Sequence, residues 1–450
     1  MQTLHDPDSL EHYGRDWTRF WPAAPSQIAF PESVDDVVDL VQQARRNGTG
    51  LVPSGGRTGL SGGAVAANGE IVVSMDKMRN LIELDRFEPS AQVQAGMSVG
   101  ALQTLAEEQG LYYPVDWAAA GSSQVGGSIA TNAGGIRVLR YGMTRDWVRG
   151  LKVVTGTGEV LALNRGLIKN NTGLDLRHLM IGSEGTLGII VEATMGLLPQ
   201  PVERSVLLLG FAGFEALMPA LAELRSGLEL SAFEFFDRHS IKHVSQERDM
   251  DFPLDSEDCR CFAVVEFDDP DASRQEAALG VFESLMEAGH VLDGTISQSG
   301  AQAAELWTWR EAISESISGR TPYKNDLSVR ISRVPAFLRE LDALVQARYP
   351  DFEVVWFGHI GDGNLHMNVL KPENWSVEDF HAAGKTLSPA VFELVQRHEG
   401  SISAEHGVGL LKRDDLNWSR SSEEIRLMHA IKQQFDPDGI LNPGKMLIRD

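Results

Sequence analysis

The chain has only two cysteines in 450 residues, Cys259 and Cys261, and a single intervening residue fits neither a zinc knuckle nor a four-cysteine iron–sulfur site. They are expected as reduced strand residues of an intracellular protein. Long apolar runs are also missing: the most apolar stretch, Ser205 to Leu224, is broken by Glu215 and Pro219, so no membrane span is expected. The first thirty residues lack a basic start followed by an apolar run, which argues against a signal peptide and for a cytoplasmic location. Positive charge is scarce, with 40 Lys and Arg against 63 Asp and Glu and a formal charge of -23, which opposes sequence-independent attraction to nucleic acid or anionic lipid, and neither is expected as a partner. The same field repels a small anionic substrate, so such a substrate needs a local cluster of Arg, Lys or metal. What remains is a soluble globular composition, 42% hydrophobic and 23% charged, without low-complexity tracts. The length suggests roughly two to three compact units.

Ser33-Val34-Asp35-Asp36 resembles a capping box, and Val34, Val37, Val38 and Val41 recur at helical spacing until Gly48. This predicts a helix of about 14 residues. Short strand signals follow (GLVP, EIVVSM, NLIELD, AQVQAGM), then a second capped helix from Ser98 to Gln109. Around Leu198-Pro199-Gln200-Pro201 the character changes, and a boundary is placed near Pro201. Beyond it FAVVEF, a helical stretch from Asp271 to Gly289 and VRISRVP suggest a second sheet with helices. Ser421 to Gln434 reads as a final helix, ended by Asp436-Pro437-Asp438-Gly439.

The segment Trp356 to Asn368, WFGHIGDGNLHMN, holds His359 and His366 around Gly361 and Gly363. Alternation on both sides suggests two strands joined by the Gly361-Asp362-Gly363-Asn364 turn, a hairpin able to aim both imidazoles at one point. With Glu405 of Ser403-Ala404-Glu405-His406-Gly407 they give the two-His, one-carboxylate set used at catalytic zinc sites, with positions left open. His406, beside a ligand, is then available to move protons. The alternative is a pair of unrelated histidines, one buried and one on the surface.

Two glycine-dense stretches lie upstream: Pro53-Ser54-Gly55-Gly56-Arg57-Thr58-Gly59-Leu60-Ser61-Gly62-Gly63, and Gly121-Ser122-Ser123-Gln124-Val125-Gly126-Gly127-Ser128. Such loops bring backbone N–H groups close to phosphate, and a pyrophosphate cofactor is the natural guest. Either stretch alone could be a tight turn. Gly156-Thr157-Gly158 lacks the third glycine of a dinucleotide fingerprint, and Gly384-Lys385-Thr386 lacks the upstream glycine of a P-loop.

Taken in order, PSGGRTGLSGG, the Gln124-Val125-Gly126-Gly127 to Asn132-Ala133-Gly134-Gly135 run, Gly182-Ser183-Glu184-Gly185-Thr186-Leu187-Gly188, GHIGDGNLH, SAEHGVG and Leu441-Asn442-Pro443-Gly444-Lys445 resemble the FAD-linked 2-hydroxy acid dehydrogenases, flavoproteins of the vanillyl-alcohol-oxidase type. The resemblance spans nearly the whole chain and implies an α+β fold: a two-part FAD-binding domain (1–200), an α+β substrate (cap) and metal domain (201–420), and a C-terminal segment (421–450) returning to the FAD domain. It implies cofactor contacts at Pro53, Ser54, Gly55, Gly56, Arg57, Thr58, Gly59, Ser61, Gly121, Ser122, Gly126, Gly127, Thr131, Asn132, Gly134, Gly135, Tyr141, Gly142, Glu184, Gly185, Ile189, Asn364 and Asn442. Relatives with covalent FAD often carry a histidine in the first glycine loop, where this chain has Arg57 and Thr58, so noncovalent FAD is expected. The stretch Leu306-Trp307-Thr308-Trp309-Arg310-Glu311, Ser314 and Pro322-Tyr323-Lys324-Asn325-Asp326-Leu327-Ser328 is similar to the D-2-hydroxyglutarate dehydrogenase group more than to D-lactate or glycolate dehydrogenases. Two positions depart from that group, Ser314 where Thr is common and Asn325 where an aromatic residue is common.

By the resemblance, Arg310, Ser314 and Lys324 hold the substrate carboxylates, with Asn368 beside the metal. On spacing alone, Trp307, Arg310 and Glu311 could instead belong to an amphipathic helix with a solvated arginine. The expected reaction is oxidation of a D-2-hydroxydicarboxylate, D-2-hydroxyglutarate or D-malate, to the 2-oxo acid. FAD accepts hydride, zinc or a similar ion on His359, His366 and Glu405 activates the 2-hydroxyl, and His406 is the base. The rivals are a D-lactate or glycolate dehydrogenase and a non-catalytic flavin and zinc protein. An electron acceptor such as electron-transfer flavoprotein or quinone is expected, and a homodimer is left open.

Overall fold

The computed structural model describes residues 1–254, 257–269 and 271–448. They fall into two compact units. The first comprises Met1–Gly135, Gly142–Gln200 and Glu405–Asp450, and the second Ile136–Tyr141 and Pro201–Ala404. The first break lies at Gln200/Pro201. The second lies at Ala404/Glu405 rather than at 420, because the stretch after Ala404 packs with the first unit, Val408 and Gly409 binding the Glu184 carboxylate.

Two sheets build the first unit. A four-stranded sheet runs Gln2–Leu4, Gln27–Phe30, Ile71–Ser74, Leu51–Ser54, its last two pairs parallel. A five-stranded antiparallel sheet runs Leu81–Asp85, Ser90–Gln94, Gly188–Gly196, Val148–Thr155, Val160–Leu163. The helix Val34–Asn47 buries Val37, Leu40, Val41 and Ala44 at i, i+3, i+4 and i+7, each of the larger residues contributing about 1.5–3 kcal/mol. Gly48, at φ 63°, closes it. Only half of the anticipated capping box forms: Ser33 accepts from the Asp36 N–H, while the Asp36 carboxylate turns to the N–H of Glu32. The chain end is stitched beside Leu51–Ser54, since Leu51 donates to Ile440 O and Asn442 donates back to Leu51 O, both at 2.7 Å.

The second unit is a seven-stranded antiparallel sheet in the order Asp293–Ile296, Arg204–Phe211, Cys261–Asp268, Leu230–Asp237, Glu353–Gly358, Asn364–Leu370, Tyr323–Ser328. One face carries Val206, Leu208, Phe236, Phe262, Val264, Val355 and Phe357, packed with Leu306, Trp307 and Trp309 of the helix Gly300–Glu311. The stretch VRISRVP, anticipated as a strand, is instead a 3-10 turn, Ile331–Arg333, leading into the helix Val334–Arg348. Pro335 fits that helix's first turn, where its missing N–H is harmless, and the strand lies just upstream.

Candidate active site

In the first unit the two glycine loops meet. The first leaves the strand Leu51–Ser54 and the second enters the helix Val125–Thr131. Their contact is close enough to require glycine at position 56, where a β-carbon would stand 2.0 Å from Ser122 O. Thr58 Oγ1 lies 2.9 Å from Ser123 Oγ, and Trp117 Nε1 donates to the same hydroxyl at 3.0 Å. Arg57 adopts φ 58° and lays its guanidinium 4.4 Å over the Tyr13 ring. Gly121 and Gly127, by contrast, face open space, and the buried Ser54 Oγ and Gln124 Oε1 have no hydrogen-bond partner among the described residues. Backbone laid bare by glycine, with unpartnered polar atoms beside it, fits a phosphate-bearing cofactor.

Behind these loops sits a buried polar chain. The Glu184 carboxylate accepts the N–H groups of Val408 and Gly409, each at 2.7 Å, and thereby fixes the backbone two residues beyond His406. Burial raises its pKa, opposed by those two donors. Asn442 Nδ2 donates to Gly63 O and Glu184 O, and Lys445 Nζ donates to Asn442 Oδ1 at 2.6 Å. Burial brings Lys445 down to about 8. Other anticipated cofactor residues also have partners of their own: Thr131 Oγ1 bonds Gly127 O, Asn132 Oδ1 accepts from Arg145 N, and Ile189 is a core residue of its strand. Gly134 and Gly135 are buried, and Gly59 and Ser61 lie in the first loop. Gly142 and Gly185 take φ values of 70° and 72°. Glu405 and His406 open the last segment of this unit, with His406 Nε2 3.5 Å from Glu405 Oε1.

Within the second unit the anticipated hairpin forms, Glu353–Gly358 against Asn364–Leu370, with Phe357 opposite His366. Register then places a row of polar residues on one sheet face. Lys324 is opposite Asn368, and Asp326 is opposite His366. Phe357 leads across to Phe236, whose i−2 neighbour on the same face is Glu234. The His359 and His366 rings are 5.4 Å apart. His359 Nδ1 lies 2.9 Å from Glu234 Oε1, and His366 Nδ1 lies 3.7 Å from Asp326 Oδ1, so Asp326 is a further candidate ligand beside the histidine.

Arg310 is not a solvated helix-face charge. It is 6% exposed, 2.9 Å from Glu234 Oε2 and stacked 4.9 Å over Phe357, yet its Nε has no hydrogen-bond partner among the described residues. Asn368 Nδ2 is buried and equally unpartnered. Lys324 reaches Ser314 Oγ at 3.4 Å, and partial loss of hydration lowers its pKa although the side chain stays exposed. Two anticipated cofactor residues lie in this unit with internal partners: Asn364 Nδ2 donates to Asp326 Oδ1 and Leu327 O, and Tyr141 OH accepts from Arg204. Sequence reading missed Glu234 and gave Asp326 no role. The signal for Glu234 was present, a lone carboxylate within the apolar run SAFEFF.

A family model described as FAD binding domain matches residues 25–164, and one described as FAD linked oxidases, C-terminal domain, matches residues 200–446. The chain is 54% identical to the D-2-hydroxyglutarate dehydrogenase of Stutzerimonas stutzeri, over 99% of this chain and 96% of that one. It is 54% identical to the enzyme of that name from Xanthomonas citri pv. viticola, covering 98% and 93%, and 35% identical to the mitochondrial one of Danio rerio, covering 99% and 83%. A solved structure of alkyldihydroxyacetonephosphate synthase shares the fold, with a TM-score of 0.73 at 19% identity over 98% of this chain and 83% of its own. No helix among the described residues is long and apolar enough to cross a membrane. Both glycine loops lie within the matched FAD binding domain, and the chain belongs to the FAD-linked oxidase family of flavoenzymes, in the group of the D-2-hydroxyglutarate dehydrogenases.

Proposed function

We propose that the chain oxidises D-2-hydroxyglutarate to the 2-oxo acid, with D-malate as a second substrate. The observation that carries this reading is the set of cationic and amide donors with spare capacity at one sheet face of the second unit: Asn368 Nδ2 and the Lys324 amine on its strands, and Arg310 Nε on the helix Gly300–Glu311 packed against it. Arg310 grips one carboxylate through its open edge, and Lys324, with Ser314 beside it, meets the distal one. A monocarboxylate such as D-lactate or glycolate leaves Lys324 without a partner. The relatives' names point the same way.

The glycine loops, with Ser54, Arg57 and Thr58, would hold FAD noncovalently, and His359, His366 and Glu405 would hold zinc or a similar divalent ion. When bound, FAD supplies a hydride acceptor for the α-hydrogen, and the ion supplies Lewis acidity at the 2-hydroxyl. His359 suits that task because a carboxylate at Nδ1 makes that nitrogen the N–H donor and puts the ring's lone pair on Nε2. His406 removes the hydroxyl proton, and Asn368 steadies the oxygen that loses it. The proton goes to His406 and two electrons leave with the α-hydrogen, so the products balance. The enzyme would work in the cytoplasm and pass electrons to a carrier such as electron-transfer flavoprotein or a quinone.

Anaerobic addition of D-2-hydroxyglutarate to the purified yellow protein should bleach the flavin band, and 2-oxoglutarate should form in equal amount. Flavin that stays oxidised with every 2-hydroxy acid, while metal and FAD are both bound, would leave a non-catalytic binding protein.

A further inference from the structure

We infer that Glu234 is a positioning residue that fixes both a metal-binding imidazole and the substrate-binding arginine. The inference rests on the proposed roles of His359 and Arg310. Glu234 is 1% exposed in the strand Leu230–Asp237, flanked by Phe233 and Phe235, where an unpaired carboxylate would be strongly destabilising. Its two oxygens face two different partners. Oε1 lies 2.9 Å from His359 Nδ1 in a hydrogen bond, and Oε2 lies 2.9 Å from Arg310 Nη2 as an ion pair without hydrogen-bond alignment.

Each contact has a chemical consequence. A carboxylate at Nδ1 makes that nitrogen the N–H donor, so the lone pair is on Nε2 and the ring cannot turn without losing its acceptor. The Arg310 guanidinium is held from one side by Oε2 and stacked on Phe357 from another, which leaves its Nε as the open donor. One carboxylate therefore sets the direction of the metal ligand and of the carboxylate fork together. A shift of Glu234 toward either partner loosens its hold on the other.

Glu234→Gln keeps the shape but removes the negative charge that both the His359 N–H and the Arg310 guanidinium face. Glu234→Asp is one methylene short of spanning them. In competition titrations of the FAD-loaded protein with Zn²⁺ and a chelating indicator, Glu234→Gln should weaken metal binding by about 10- to 100-fold. In the His359→Ala background, the same change should cause no further loss. Glu234→Asp should raise KM for the dicarboxylate more than it lowers kcat.

Wild-type protein gives an independent reading: ¹⁵N shifts of the metal-free protein should show His359 protonated at Nδ1, whether or not the variants fold. Protonation at Nε2 instead overturns the inference, as does unchanged metal affinity in Glu234→Gln, or an additive loss in the double variant. Wild-type protein that takes up no divalent metal refutes the proposed function itself and the inference with it.

Discussion

Lys324→Ala separates dicarboxylate from monocarboxylate chemistry more cleanly than any other single change in the second unit. The fold makes little use of this amine, whose polar neighbour is Ser314 Oγ at 3.4 Å. Removing it breaks no ion pair found among the described residues, so stability should stay within about 0.5 kcal/mol of wild type. Arg310 offers no such test, because its loss strands the buried Glu234 carboxylate. Partial loss of hydration already lowers the Lys324 pKa, so the ammonium gives up less water when a carboxylate arrives than a fully hydrated lysine would. A charge-assisted hydrogen bond of this kind contributes about 1.5–3 kcal/mol, which corresponds to roughly a tenfold to 150-fold loss in kcat/KM for D-2-hydroxyglutarate. D-Lactate has no distal carboxylate and should lose almost nothing. The assay is steady-state reduction of an artificial acceptor with both acids, alongside thermal melts of each protein. Equal losses on the two substrates would refute the assignment and move the monocarboxylate reading ahead.

Acid or heat denaturation should release FAD into the supernatant, since the first glycine loop offers Arg57 and Thr58 rather than a histidine; flavin remaining on the precipitated chain would contradict this. His406→Ala should retain FAD and metal yet slow flavin reduction by about 10²- to 10⁴-fold, and near-normal reduction would move the base to another residue. Lys445 should leave a pH signature. Its folded pKa of about 8 lies below the ordinary 10.5, so within that window the unfolded chain binds a proton that the folded chain does not. Stability linked to this group therefore rises with pH between the two values, by at most about 1.4 kcal/mol per unit, and is level below the lower one. Urea melts should show wild type gaining on Lys445→Met across this window, and a pH-independent difference would rule the buried cation out.

The readable parts of the fold were those in which local signals agreed. The helix Val34–Asn47 has a serine cap, a helical-period apolar stripe and a left-handed glycine at its end, and its limits matched the pattern. The hairpin around His359 and His366 was readable because alternation flanked a glycine turn. VRISRVP misled because alternation over a few residues also suits a 3-10 turn entering a helix, and Pro335 was the stronger signal. The break at Ala404/Glu405 was not readable, since the pull on the following residues comes from Glu184, more than two hundred positions upstream.

The site was half readable for a related reason. Motifs identify groups with chemistry of their own, such as imidazoles, a lysine in a turn-like segment and glycine loops, but they do not identify what holds those groups. Two buried carboxylates on the same sheet face show the difference. Glu266 is gripped at 2.8 and 2.9 Å by Arg137 and also meets Arg204 and Trp307, a set of partners separate from the proposed substrate residues. Glu234 is paired with His359 and Arg310. Replacing a buried ion pair by apolar residues of similar volume is often neutral or stabilising, so stability alone gives a weak reason for a glutamate among phenylalanines. The orientation of two side chains proposed to bind metal and substrate gives a stronger one. A charged residue that interrupts an apolar strand is therefore a pointer to a site even when it belongs to no motif, and its partners tell whether it supports the fold or the chemistry.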